Sequence, residues 1–284
     1  MRRRPFGIGG PAVPALGLGT WNFGPSPAAR AAALAAIRTG VGLGLVHIDT
    51  AEMYGDGRSE KIVGEAIAGL PREELFLVSK VLPSNATFDG TIAACERSLR
   101  RLGTDYLDCY LLHWRSPYPL AETIGALERL VDDGKIRSLG VSNFDSEDLD
   151  EALGLATRHP VACNQVLFHL GERGIERRLL PQCRTAGVAL VGYSPLGSGD
   201  FPRDGTPGRA ALEGIGAARG LSAHAVALAF LTREDGTFAI PMSADAAHVR
   251  ANAAAADVVL DAAACAAIDA AFPVPHGDRP LAVI

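Results

Sequence analysis

The hydrophobic pattern of the chain alternates between two textures. Short apolar runs occupy 16–19, 45–48, 75–79, 107–112, 136–141, 162–166, 188–193 and 238–241. Their continuity predicts eight strands covered on both faces. Between them, apolar residues recur at helical spacing over 27–40, 59–70, 91–102, 120–134, 146–158, 175–187 and 246–257, with an added helical pair at 209–220 and 222–233. Each such stretch predicts a helix with one buried stripe. Strand and helix taking turns implies a parallel sheet under a layer of helices, and eight such units favour a (β/α)8 barrel, with an open doubly wound sheet as the alternative.

Local signals support that register. Gly134, after Asp132 and Asp133, and Gly187, after Ala186, sit where a helix ends in a left-handed residue before the next strand. Residues 6–14, with Gly9-Gly10-Pro11 at their centre, read as a small hairpin closing the barrel bottom. No linker or composition shift divides the chain, so 1–284 reads as a single domain, with 197–208 as its long loop.

Charge and composition narrow the function. Of 284 residues, 27 are Lys or Arg and 32 Asp or Glu, a net charge of −5 with no basic stripe, which argues against nucleic acid as a partner. The five cysteines, Cys95, Cys109, Cys163, Cys183 and Cys265, are scattered and read as reduced thiols. Arg2 to Arg4 are followed by Pro5-Phe6-Gly7 where a signal sequence would carry its apolar core, and no apolar run reaches the ~18 residues of a membrane span. The expectation is a soluble, cytoplasmic, monomeric protein acting on a small molecule, with no membrane or nucleic-acid partner.

Several signatures fail. Gly17-Leu18-Gly19 lacks the third glycine of a dinucleotide fingerprint, and Gly192-Tyr193-Ser194-Pro195-Leu196 ends in leucine where a nucleophile elbow needs glycine. The histidines are too scattered for a metal site, so none is expected.

The chemistry sits at the predicted strand ends, which converge on one mouth in such a barrel. Strand two runs into Asp49 and Tyr54, strand three into Lys80, and strand four into His113-Trp114. Singly, Asp49 reads as a helix cap or loop anchor, Tyr54 equally as packing or as function, and His113 as a satisfied, half-buried ring. Lys80 resists such a reading, because the chain uses 24 arginines and only three lysines, the others being Lys61 and Lys135. A compact, titratable ammonium would stabilise phenolate and bring the Tyr54 pKa down from ~10, while Asp49 orients Lys80 and His113 hydrogen-bonds a carbonyl that Tyr54 protonates. A lysine that forms a Schiff base, as in a barrel aldolase, uses the same residue differently.

Taken together, these motifs make the chain resemble the aldo-keto reductase family over nearly its whole length. Val13-Pro14-Ala15-Leu16-Gly17-Leu18-Gly19-Thr20-Trp21 resembles its first strand, and Ile48-Asp49-Thr50-Ala51-Glu52-Met53-Tyr54 carries its Asp-x4-Tyr spacing. Gly140-Val141-Ser142-Asn143-Phe144, Asn164-Gln165 and Tyr193-Ser194-Pro195-Leu196 resemble its cofactor segments. The resemblance implies an NAD(P)H-dependent carbonyl reductase of the short prokaryotic branch that includes methylglyoxal and 2,5-diketo-D-gluconate reductases. It makes Tyr54, Asp49, Lys80 and His113 catalytic. It also implies that Thr20, Asp49, Ser142, Asn143, Gln165, Tyr193, Ser194, Leu196, Ser243 and Asn252 bind NADP or NAD, with Tyr193 stacking on the nicotinamide, and that Trp21 and Trp114 face a small carbonyl substrate. Potassium-channel β-subunits also resemble these reductases, which keeps a non-catalytic, cofactor-binding regulatory role open. One motif departs: the family writes Ile-Pro-Lys-Ser and a later arginine, whereas this chain has Ile240-Pro241-Met242-Ser243 and His248. Met242 and His248 therefore replace the pair that grips the 2′-phosphate of NADP, and a narrowed preference for NADPH over NADH is expected.

Overall fold

The computed structural model describes residues 1–277 and 279–284. An antiparallel hairpin, β1 (Arg3–Pro5) and β2 (Ala12–Pro14), opens the chain. The 6–14 stretch expected to form it is mostly its turn, with pairing strands on either side. Phe6 drops from that turn into the barrel bottom, its ring centroid 4.6 Å from Phe76 and 5.1 Å from Phe238.

Eight parallel strands follow: β3 (Leu18–Gly19), β4 (His47–Asp49), β5 (Phe76–Val81), β6 (Cys109–Leu112), β7 (Leu139–Ser142), β8 (Val161–Leu167), β9 (Ala189–Tyr193) and β10 (Thr237–Ala239). Each pairs with its sequence neighbour. The sheet closes where Gly17 N donates to Ala239 O at 2.9 Å and Gly19 N to Pro241 O at 3.1 Å, with Leu16 bridging Ala239 and Gly19 bridging Met242 in parallel register. This is the expected barrel. Strand β7 starts three residues late because Ile136 bridges Leu107 before the chain reaches Leu139.

The helices are α1 (Pro27–Gly42), α2 (Arg58–Ile67), α3 (Phe88–Leu102), α4 (Leu120–Asp132), α5 (Ser146–Leu155), α6 (Leu179–Ala186), α7 (Pro207–Ala217), α8 (Ala223–Leu231), α9 (Ala246–Ala253) and α10 (Ala262–Ala271). Side-chain caps start many of them: Ser26, Thr87, Thr206 and Ser222 each accept a first-turn backbone N–H. Gly187, at φ 68°, ends α6 as expected. Helix α6 itself begins at Leu179, after a separate 3-10 turn over Gly174–Glu176. Helix α10 has no counterpart in the sequence reading. Its alanine-rich surface carries no polar–apolar stripe, and only Ala264 and Ile268 are buried.

Apolar side chains fill two layers. One lies between sheet and helices, and the other fills the barrel, where Val78, Cys109, Leu111, Cys163 and Phe238 lie above Phe6. The five cysteines are free thiols, all but Cys265 buried. Among the described residues no helix is long and apolar enough to cross a membrane.

Candidate active site

Above that apolar plug the barrel turns polar. Asp49 ends β4 and Lys80 lies near the end of β5, both with almost no exposure. Lys80 Nζ donates to Asp49 Oδ1 at 2.5 Å, to the Thr50 carbonyl at 3.0 Å and to the Tyr54 hydroxyl at 3.2 Å. All three ammonium hydrogens are thus engaged. The second Asp49 oxygen accepts from Gln165 Nε2 at 2.7 Å, a contact that spans the barrel from β8. His113 follows β6 and meets the Tyr54 ring edge-on at 5.9 Å. The four side chains expected to act together are therefore in one place.

Their electrostatics follow from burial and from one another. Burial alone would lower the Lys80 pKa, but Asp49 and Tyr54 outweigh it and hold the ammonium above its ordinary value. A charged, fully bonded lysine has no lone pair to offer, which argues against a Schiff base. Burial pushes Asp49 up against the downward pull of Lys80 and Gln165. Tyr54 departs from the sequence expectation. Lys80 does pull its pKa down, but burial outweighs that pull and the net shift is upward. The phenol therefore keeps its proton near neutral pH. His113 is driven down to about 2 by burial and by Lys80, so it stands as a neutral imidazole, its Nδ1 buried without a partner.

The loop that carries Tyr54 is held from below. Glu52, buried two residues earlier, accepts from Leu82 N at 2.8 Å and Asn85 Nδ2 at 2.9 Å, and Glu60 accepts from Ser79 Oγ at 2.6 Å. Gly55, Asp56 and Gly57 run consecutively at positive φ. Asp56 is one of five described non-glycine residues in that region. The others are Asn22, Asn143, Ser194 and Ser198, and all five lie in loops that leave the C-terminal ends of strands. Backbone strain gathered at one mouth marks a functional face.

These loops enclose a cavity of about 130 Å³. Tyr54, His113, Trp21 and Trp114 line it, and so do Thr20, Ser142, Asn143, Gln165, Tyr193, Ser194 and Met242. Tyr193 donates through its hydroxyl to Asn143 Oδ1 at 2.9 Å, Asn143 Nδ2 donates to the His113 carbonyl at 3.1 Å, and Ser142 Oγ donates to the Gln165 carbonyl at 2.8 Å. Thr20 Oγ1 holds the Asp49 carbonyl at 2.9 Å. Leu196, Ser243, His248 and Asn252 lie outside this cavity. Ile284 and Met53, which sequence reasoning did not single out, line it. Only tertiary folding brings Ile284 there, and no motif announces it. The wall fits a nicotinamide: Tyr193 offers a flat ring, and amides and a hydroxyl surround it at Asn143, Gln165 and Ser142.

The sequence profile of the aldo/keto reductase family matches residues 15–272. A methylglyoxal reductase of Escherichia coli K12, YeaE, is 48% identical over 273 residues, 96% of each chain. A second protein of that strain, an NADH-specific methylglyoxal reductase, is 34% identical over 74% of this chain and 73% of its own. The crystal structure of an aldo-keto reductase from Klebsiella pneumoniae in complex with NADPH superposes with a TM-score of 0.92 at 45% identity, covering 100% of this chain and 99% of that one.

Proposed function

The chain belongs to the aldo/keto reductase family and reduces carbonyl compounds by hydride transfer from NAD(P)H, and from that premise we propose that Tyr54 is its acid, Lys80 and Asp49 the pair that sets the Tyr54 charge, and His113 the group that orients the carbonyl. One observation carries this reading: a single buried ammonium joins the Asp49 carboxylate to the Tyr54 hydroxyl. When bound, the nicotinamide supplies the hydride. As negative charge grows on the carbonyl oxygen, the Tyr54 hydroxyl gives up its proton to it, and Lys80 Nζ stabilises the phenolate left behind. Neutral His113 holds the oxygen by a hydrogen bond without competing as an acid.

Thr20, Ser142, Asn143, Gln165, Tyr193 and Ser194 line the wall proposed for the nicotinamide, Met242 lines the same cavity, and Leu196, Ser243, His248 and Asn252, outside it, are assigned by this reading to the rest of the cofactor. The cavity's small volume and its walls of Trp21 and Trp114 support a small aldehyde or ketone, and the YeaE likeness points to 2-oxoaldehydes such as methylglyoxal. One barrel unit, 1–284, carries the whole site. Trp21, Met53, Trp114 and Met242, four of its exposed large apolar side chains, line the cavity, which supports an apolar mouth that serves ligands in a monomer. Five free thiols support a reducing, cytoplasmic setting.

Replacing Tyr54 with Phe tests the assignment. Turnover of methylglyoxal should fall ~10²–10⁴-fold while the cofactor dissociation constant changes little. Undiminished turnover in that variant would show that another group donates the proton.

A further inference from the structure

Tyr54 sits in a stretch open to solvent. Met53, Gly55 and Asp56 on either side of it are exposed, and Gly55, Asp56 and Gly57 take left-handed conformations one after another. Among the described residues, Glu52 and Tyr54 are the only members of 50–57 whose side chains make hydrogen bonds. For Tyr54 the partner is the Lys80 ammonium at 3.2 Å, the contact on which its proposed chemistry depends. Something else must fix how far the phenol stands from that ammonium.

The two groups come from neighbouring strands, so their separation follows from how β4 and β5 are held together past the end of the sheet. Thr50 N still donates to the Val78 carbonyl at 2.9 Å, but the next rung, Glu52 N to the Lys80 carbonyl, has lengthened to 3.4 Å. A side chain makes the third rung. The Glu52 carboxylate accepts from Leu82 N at 2.8 Å, and the same oxygen accepts at 2.9 Å from Nδ2 of Asn85, in the 3-10 turn over Pro83–Asn85. Its other oxygen meets Arg97, 3.3 Å away and largely solvated. Glu52 itself is buried, which is costly for a carboxylate unless donors satisfy it. Here the close donors belong to the segment that directly follows Lys80. Glu52 thus brackets that lysine, its N–H on the Lys80 carbonyl and its carboxylate on Leu82 N.

We propose that Glu52 is a positioning residue for carbonyl reduction: its carboxylate clamps the Tyr54 loop to the backbone beyond Lys80 and so sets the distance between phenol and ammonium. The proposal rests on the reading of Tyr54 as the acid and adds what holds that acid in place. Without the clamp, the positive-φ run on one side of Tyr54 and the stretched rung on the other would let the loop lift. The need is for an acceptor of the right reach rather than for a charge, because the two close donors, a backbone N–H and an amide, are neutral. A displacement of about 1 Å at a reacting group costs up to ~10²-fold in rate. That cost falls on the chemical step, since Ser142, Gln165 and Tyr193 of the wall proposed for the nicotinamide stand on β7, β8 and β9.

Single-turnover loss of NADPH absorbance with methylglyoxal, run on the intact protein alongside NADPH binding by fluorescence, tests the clamp. Glu52→Ala should slow hydride transfer about 10- to 100-fold, with the NADPH dissociation constant changed less than about twofold. Glu52→Gln keeps an oxygen at the same reach and should restore most of that rate. Glu52→Asp keeps the charge on a shorter side chain and should restore less. In a Tyr54→Phe background, Glu52→Ala should cost less than about twofold, because the residue acts through the phenol. An equal loss in both backgrounds, a wild-type rate in Glu52→Ala, or Asp restoring more than Gln would overturn the clamp, while a slow Tyr54→Phe would leave the acid assignment standing. Should Glu52→Ala fail to fold, the order of Gln and Asp decides alone. Undiminished turnover in Tyr54→Phe would remove the acid assignment and the clamp together.

Discussion

Replacing Lys80 with Met separates chemistry from architecture at this site. The ammonium lies 3.2 Å from the Tyr54 hydroxyl. At an effective dielectric of about 20, a unit charge at that distance from a full phenolate is worth about 5 kcal/mol. Proton transfer half complete in the transition state would use about half of that, so kcat should fall about 100-fold. The same substitution strands Asp49, whose carboxylate keeps only Gln165 as a side-chain donor. Breaking a buried pair by removing one partner costs about 3–5 kcal/mol. The stranded carboxylate would respond by raising its pKa further. A carboxyl whose folded pKa exceeds its unfolded value is relatively stabilised at low pH, so the stability deficit should shrink on acidification. Adding Asp49→Asn removes the unpaired charge, and the double variant should recover much of the lost stability and none of the turnover. Urea unfolding and steady-state loss of NADPH absorbance measure the two properties independently. Wild-type kcat in Lys80→Met, or activity regained in step with stability in the double variant, would refute the argument.

Two further predictions concern the scaffold. His47, caged by Phe6, Phe76 and Phe238 with both ring nitrogens unpartnered, is held down to about 3 by burial and by Lys80, so the native state refuses a proton that the unfolded chain accepts. Stability should therefore fall with pH below ~6.5, and urea unfolding should show His47→Leu losing about 2 kcal/mol less than wild type on going to pH ~5; parallel profiles would contradict this. At Gly64 on α2, an added methyl would lie 2.6 Å from the Leu102 carbonyl oxygen and 2.9 Å from that of Arg101. Gly64→Ala should thus destabilise by about 1–3 kcal/mol in denaturant titrations despite its better helix propensity, and a stabilised variant would show that α2 and α3 part freely.

The barrel was legible because its strands are buried on both faces and so stand out as apolar runs, and the groups proposed to react were legible because they follow those runs in sequence. What escaped depends on closure. Gln165 reaches Asp49 across 116 residues of sequence, a partnership that exists only once β8 and β4 face each other inside the barrel. His47 lies two residues before Asp49 on the same inward face, but its aromatic cage comes from the hairpin turn, β5 and β10. The sign of the Tyr54 shift escaped for a related reason: a neighbouring lysine is visible in sequence, whereas the burial that outweighs it is not. Helix α10 escaped because alanine on every side leaves no period to read.

The spared lysine is the place where composition and geometry meet. In a chain that almost always uses arginine, Lys80 delivers three hydrogen bonds from one atom, to a carboxylate, a backbone carbonyl and a phenol that approach it from different directions. An ammonium rotates to meet such a tripod, whereas a guanidinium spreads its donors in a rigid plane and suits a flat, two-oxygen acceptor. Arginine here would also place its charge over several atoms, away from the single point where phenolate charge must be met. Its larger head would have to displace Tyr54 or Asp49, since Lys80 is already fully enclosed. The presence of lysine at this strand end therefore follows from what the proposed mechanism needs, a compact point charge beside the phenol.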